Sequence, residues 1–227
     1  MPNWVSNHVQ CANTDALSRL RDFSLIIPEH PAIALLPGLA AQHAAQLYQQ
    51  GKSWRAVATD PAFVASLDQE QKDTPAKHRL TPERAARRYL LYCKVHGCVD
   101  WYNWRCEHWG SKWNVCHYRH HGSEVWFETA LMHPWPVLEA LSRQFPAEVF
   151  SVSYANEDLG SDTGTYEMQN GKLLTGGELD DGSREAFELA FFHWGDEEDY
   201  VLRDGNYHHR DDDEAGREDT SKSAPSA

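Results

Sequence analysis

A strand and helix at the start, a strand-strand-helix-strand run after residue 97, and a helix-rich stretch between them predict an α+β protein. With the middle stretch removed, the order β-α-β-β-α-β is that of the ferredoxin-like split β-α-β sandwich. A C-terminal hairpin and helix extend it. The chain has 227 residues, 41% of them hydrophobic, which is enough for a substantial core.

Each element has a local signal. In Trp4–Cys11 the residues Val5, Asn7, Val9 and Cys11 share one face, and Ser6, His8 and Gln10 share the other, the period of two of a strand. Asn13, Thr14 and Asp15 supply N-cap chemistry for a helix carrying Ala16, Leu17, Leu20 and Phe23. Pro28 stops that unit. Residues 32–96 then read as an all-helical insertion of about three helices. Ala40, Ala41, Ala44, Ala45 and Tyr48 recur at helical spacing, and Asp60-Pro61 and Thr81-Pro82 each place a cap before a proline. Strand alternation returns over Ser111–His117 and Glu124–Thr129, with His120-His121-Gly122-Ser123 as the expected turn. Val137, Leu138, Leu141 and Phe145 mark an amphipathic helix, and Val149–Tyr154 a further strand. Asn170-Gly171 predicts a hairpin between Thr165–Met168 and Leu173–Thr175, and Ser183–Trp194 a last helix. From Gly195 onward acids, glycine and serine dominate, and disorder is expected. The expected domains are therefore a ferredoxin-like domain over 1–31 and 97–195, a helical insertion over 32–96, and an acidic tail over 196–227.

The formal charge of −13 is unevenly spread. Residues 1–76 carry −2, residues 77–119 carry +6, residues 120–195 carry −10, and the tail from Asp196 carries −7. A basic middle inside an acidic chain withdraws the objection that total acidity raises against nucleic acid. No window approaches the ~18 consecutive apolar residues of a membrane span. Met1-Pro2-Asn3-Trp4 lacks the basic and apolar regions of a signal peptide, and five cysteines are an odd number in a chain too large to need staples. A cytoplasmic protein with no membrane partner is expected.

Six of nine tryptophans lie within residues 101–135, densest from Asp100 to Trp113. Buried rings that anchor a core are the ordinary reading of such a segment. The cations interleaved with them support a second: Trp101, Trp104, Trp109 and Trp113 would stack bases, while Arg105, His108 and Lys112 neutralise phosphate. On the helix beginning at Pro82, Arg84, Arg87 and Arg88 form a basic side that would continue this surface, or else a solvated face. These ten residues are the candidate binding site; no residue is assigned as catalytic.

Met1-Pro2-Asn3-Trp4, Asp100-Trp101-Tyr102-Asn103-Trp104 and His108-Trp109-Gly110-Ser111-Lys112-Trp113 resemble the YubB-like family of plasmid and phage proteins. Phe127-Glu128-Thr129-Ala130 and the stretch from Tyr154 through Gly164 to Asn170-Gly171 fit the same layout. The resemblance covers about residues 1–30 and 98–175. It implies a ferredoxin-like domain and a mobile-element setting, and carries no activity with it.

Cys93, Cys98, Cys106, His108, Cys116 and His117 are potential zinc ligands. They contain no CxxC pair and are irregularly spaced, so no metal or cofactor is assigned. No GxSxG, HExxH or P-loop is present. Three function classes remain: a non-enzymatic module acting on a host or defence-system protein, which the mobile-element setting favours; a nucleic-acid-binding module using the 84–113 surface; and a zinc-dependent enzyme.

Overall fold

The computed structural model describes residues 3–29, 38–97 and 101–210. Along the chain come β1 (Trp4–Gln10), α1 (Thr14–Arg19), α2 (Gly38–Gln49), α3 (Trp54–Ala58), α4 (Pro61–Glu70), α5 (Pro82–His96) and α6 (Trp101–His108). They are followed by β2 (Cys116–His121), β3 (Glu124–Ala130), α7 (Trp135–Gln144), β4 (Val149–Asn156), β5 (Thr163–Gln169) and β6 (Lys172–Glu178). The last elements are α8 (Arg184–Trp194), β7 (Tyr200–Arg203) and β8 (Asn206–His209). Two compact units result, one from residues 1–27 and 109–227, the other from residues 28–108.

The first unit is a six-stranded sheet of order β2-β3-β1-β4-β5-β6, antiparallel throughout. Its first four strands in the order β2-β3-β1-β4, with α1 and α7 as connections, are the ferredoxin-like arrangement, and β5-β6 widen it. Register separates the two faces. Val5, Asn7 and Val9 on β1 lie opposite Thr129, Phe127 and Val125 on β3, and opposite Asn156, Tyr154 and Val152 on β4. That face is closed by Leu17, Leu20, Phe23, Val137, Leu138 and Leu141, all buried. The reverse face carries Ser6 and His8 beside Glu128 and Trp126 on β3, and beside Ala155 and Ser153 on β4. α8 packs on part of it.

A polar chain runs through the buried side of the sheet. The Asn7 amide donates through Nδ2 to Val5 O (2.9 Å) and Thr129 Oγ1 (3.0 Å), which leaves its Oδ1 as an acceptor. His133 Nδ1–H donates to that oxygen (2.7 Å), so Nε2 of the neutral ring accepts from the Tyr166 hydroxyl (2.8 Å). The imidazole lies flat on Tyr154 at 3.9 Å. Burial, with a smaller contribution from nearby His193, lowers the His133 pKa to about 3.

Several expectations change. β2 starts at Cys116 and runs to His121, later than the expected Ser111–His117. Residues 111–115 are drawn away by side-chain bonds. Ser111 Oγ accepts from the Ala130 amide (3.2 Å), and Asn114 Oδ1 accepts from the amides of Phe23 and Val115 (2.8 Å each). The turn then contracts to Gly122-Ser123. Nor does residue 196 onward lack structure as expected. Asp204 and Gly205, at φ 50° and 89°, make the tight turn of the β7-β8 hairpin. Its Tyr200 and Tyr207 pack on Phe187 and Phe191 of α8 at 5.0–5.7 Å between ring centres. The tail expectation for residues 211–227 lies outside the described residues.

Among its described residues the second unit holds five α-helices, α2–α6, where about three helices were expected. Ala40, Ala44, Phe63, Leu67, Ala85, Ala86, Tyr89 and Tyr92 form its core. Asp60 and Thr81 accept from the first-turn amides of α4 and α5, ahead of Pro61 and Pro82.

Candidate ligand-binding face of the sheet

The ten residues singled out from the sequence divide between the two units. Arg84, Arg87 and Arg88 lie on α5, the first two exposed. Arg87 and Arg55 both lie over the Trp54 ring, at 3.9 and 4.6 Å. Trp101 and Trp104 pack against the helical core. Arg105 is clamped by both oxygens of Glu29 (2.8 Å each), so its charge is matched inside its own unit. His108 stacks on Trp104 at 4.4 Å and donates from Nδ1 to its carbonyl (3.0 Å).

Trp109, expected on the binding surface, is a core residue instead. It is 1% exposed, its indole N–H donates to Ile27 O (3.0 Å), and its ring meets Phe23 edge-on. Gly110 makes this possible. A Cβ there would stand 2.9 Å from His133 O, and its φ of 67° suits glycine. The tryptophan segment therefore divides between units, and the proposed 84–113 surface loses Trp109 and Arg105.

Lys112 and Trp113 lead elsewhere, to the polar face of the sheet. The Lys112 ammonium is 5.2 Å from the Trp113 ring centre, and Trp113 tilts onto Trp4 (5.6 Å). Trp4 in turn contacts His117 (6.0 Å), which donates to Glu128 (2.6 Å). Further along the same face, four residues down β1, His8 stacks on Trp126 at 4.1 Å and 13°. Four residues of strand span about 13 Å, so two aromatic stations stand on one face.

Beside the second station is a pocket of about 320 Å³ lined by Arg119, His121, Glu124, Trp126 and His193. Phe192, 60% exposed, stands 5.4 Å from Trp126. Arg119 and His121 come from β2 and are exposed. The Glu124 carboxylate accepts from His8 Nε2–H (3.0 Å) and Gln10 Nε2 (3.3 Å), which holds its pKa below the usual range, so it is ionised at neutral pH. His193 bonds Ser153 Oγ through Nε2 and Ser6 Oγ through Nδ1, both at 3.0 Å. Burial first, then the His8 charge, push its pKa down to about 4. His193 is therefore neutral, and Ser153 and Ser6 are its hydrogen-bonding partners.

Among the described residues no group of three or more His, Cys, Asp or Glu side chains could hold a metal ion. Cys93 is buried on α5, and Cys98 lies outside the described residues. Among them, too, no helix is long and apolar enough to cross a membrane.

Sequence reasoning passed over His8, Arg119, His121, Glu124, Trp126, Phe192 and His193. The signal was present in pieces. Alternation put His8 on a polar face of β1 and Trp126 opposite the apolar side of β3. Their meeting depends on register.

The fold is that of a ferredoxin-like α+β protein, with aromatic side chains and charges of both signs on the open half of its sheet. Residues 109–195 match the family model described as the ferredoxin-like domain in Api92-like protein. The chain is also similar to a solved structure, the crystal structure of a protein api92 from Yersinia pseudotuberculosis, at 13% identity and a TM-score of 0.37. That alignment covers 80% of this chain and 99% of the other. No curated protein matches the chain.

Proposed function

We propose that the chain is a non-enzymatic binding module that takes single-stranded nucleic acid on the open half of its sheet. The observation that carries this reading is the pair of aromatic stations, Trp4–Trp113 and His8–Trp126, with Lys112, Arg119 and His121 beside them. Bases stack on such rings while neighbouring cations meet the phosphates. Glu124 and Glu128 are each bonded to a histidine, His8 and His117, which moderates their repulsion of a polyanion. The resemblance to plasmid and phage proteins adds the setting, a mobile-element protein at work inside a host.

Fluorescence anisotropy with labelled single-stranded DNA and RNA at low salt tests it. Each stacked base is worth about 1–3 kcal/mol, so Trp126→Ala is expected to weaken binding about 5- to 150-fold. Arg119→Ala should flatten the salt slope. Absence of binding at low salt, or wild-type affinity in Trp126→Ala, overturns the reading.

One feature of the helical unit favours a protein partner as a second reading. α5 exposes Leu91 and Val95 at 63% and 62%, between Arg84, Arg87 and Lys94. Such an apolar pair ringed by cations fits an acidic surface on a host or defence-system protein. A photo-crosslinker at Leu91 is expected to give one discrete adduct in cells that the same group at exposed Gln49 does not. Identical patterns from both positions refute it.

A further inference from the structure

Glu124 stands at the edge of the aromatic station with one oxygen engaged. His8 and Gln10 both bond Oε2, whereas Oε1 has no partner among the described residues. His8 covers one face of the Trp126 indole, and Phe192 and His193 tilt against it at 5.4 and 5.2 Å, so the part of the ring that lines the pocket is where a planar ligand would stack. A ring resting there, in the same pocket as Glu124, presents its edge to a carboxylate that accepts hydrogen bonds and donates none.

That requirement separates the bases. Guanine offers two adjacent donors on its Watson–Crick edge, N1–H and the exocyclic N2 amino group. Adenine and cytosine each set an acceptor nitrogen beside their single amino group. In uracil and thymine the N3–H lies between two carbonyl oxygens. Only the guanine edge lets a carboxylate accept from two adjacent donors, N1–H and N2–H; at every other base a lone pair stands directly beside the donor.

We infer that this pocket selects guanine, stacked on Trp126 and read by the Glu124 carboxylate, with Arg119 and His121 beside it to meet the phosphate. The inference rests on the single-strand reading above and adds a base preference to it. A guanine could come from a strand or from a free nucleotide, and the test separates the two.

The measurement is competition anisotropy on the full chain, using an octamer of uridines and versions with one central guanosine, adenosine, cytidine or inosine. The guanosine octamer is expected to bind about 10-fold tighter than the uridine, adenosine and cytidine ones. Inosine, which lacks the N2 amino group, should fall between. Glu124→Gln is expected to lose the guanosine preference, the guanosine and uridine octamers then binding within about twofold of each other, because an amide presents a donor as well as an acceptor. Competition by GMP at concentrations similar to the guanosine octamer assigns the free nucleotide as the source; guanosine preference without GMP competition assigns the strand. Equal affinity for all octamers in the wild type overturns the guanine inference and leaves the single-strand reading standing. Binding of none of them overturns that reading itself. A preference retained in Glu124→Gln removes Glu124 from the role.

Discussion

Acid should weaken the sheet unit through two histidines. His133 and His193 are held neutral, with pKa values near 3 and 4 in place of the ordinary 6.5. Above pH 6.5 both rings are neutral whether the chain is folded or not, and their contribution is complete. As the pH falls below 6.5 the unfolded chain binds protons that the folded chain refuses, so stability drops with pH. The loss runs to about pH 4 for His193 and about pH 3 for His133. Between pH 6 and pH 4 each ring accounts for about 2 kcal/mol, an order-of-magnitude figure from about 1.4 kcal/mol per pKa unit. Urea midpoints followed by tryptophan fluorescence at half-unit steps of pH measure it. His133→Gln and His193→Gln lower stability at pH 7, yet each should flatten the acid limb relative to wild type. Carboxylates titrate in all three proteins, so the difference between them isolates the rings. Acid limbs of equal steepness in wild type and both variants would refute the reasoning.

Other outcomes follow from the packing. Trp109→Ala removes a ring sealed against Phe23 and should cost about 3–5 kcal/mol in chemical denaturation; a loss under 1 kcal/mol would return Trp109 to the surface. Gly110→Ala forces a Cβ against His133 O and Pro136 at positive φ. A fall in thermal midpoint is expected there, and wild-type stability would contradict it. Replacing Tyr200 and Tyr207 together, Tyr200→Ala with Tyr207→Ala, strips the hairpin of its ring contacts with Phe187 and Phe191. Amide exchange over 200–209 should rise to the rate of an open chain while β1–β4 stay protected; unchanged exchange would show that other contacts hold the hairpin.

The candidate site was legible only in part. Lys112 and Trp113 reach the sheet face, but for a reason the sequence did not display. Asn114 is bound to the amides of Phe23 and Val115 and keeps this stretch out of β2. Trp109, three residues from Lys112, carries the same kind of ring and points into the core. No property of the residue types distinguishes the two. The Asp204-Gly205 turn was a readable signal, yet the acidic composition around it outweighed it. What rescues that segment is the aromatic side of α8, more than ten residues away.

The sequence alone determined the α+β class, the order of strands and helices in the sheet unit as far as α8, the helix caps at Asn13, Asp60 and Thr81, and the Asn170-Gly171 turn. Those depend on contacts between near neighbours, where period, proline and Asn-Gly chemistry act directly. Tertiary structure decided which tryptophans reach solvent, which charges are matched, and where the site lies. His8 meets Trp126 across β1 and β3, and Arg119 faces Trp126 from β2, because antiparallel register sets residues far apart in sequence side by side. A slip of one residue would turn each strand's side chains to the other face. Local pattern gives the two faces of every strand; only pairing says which residues share one.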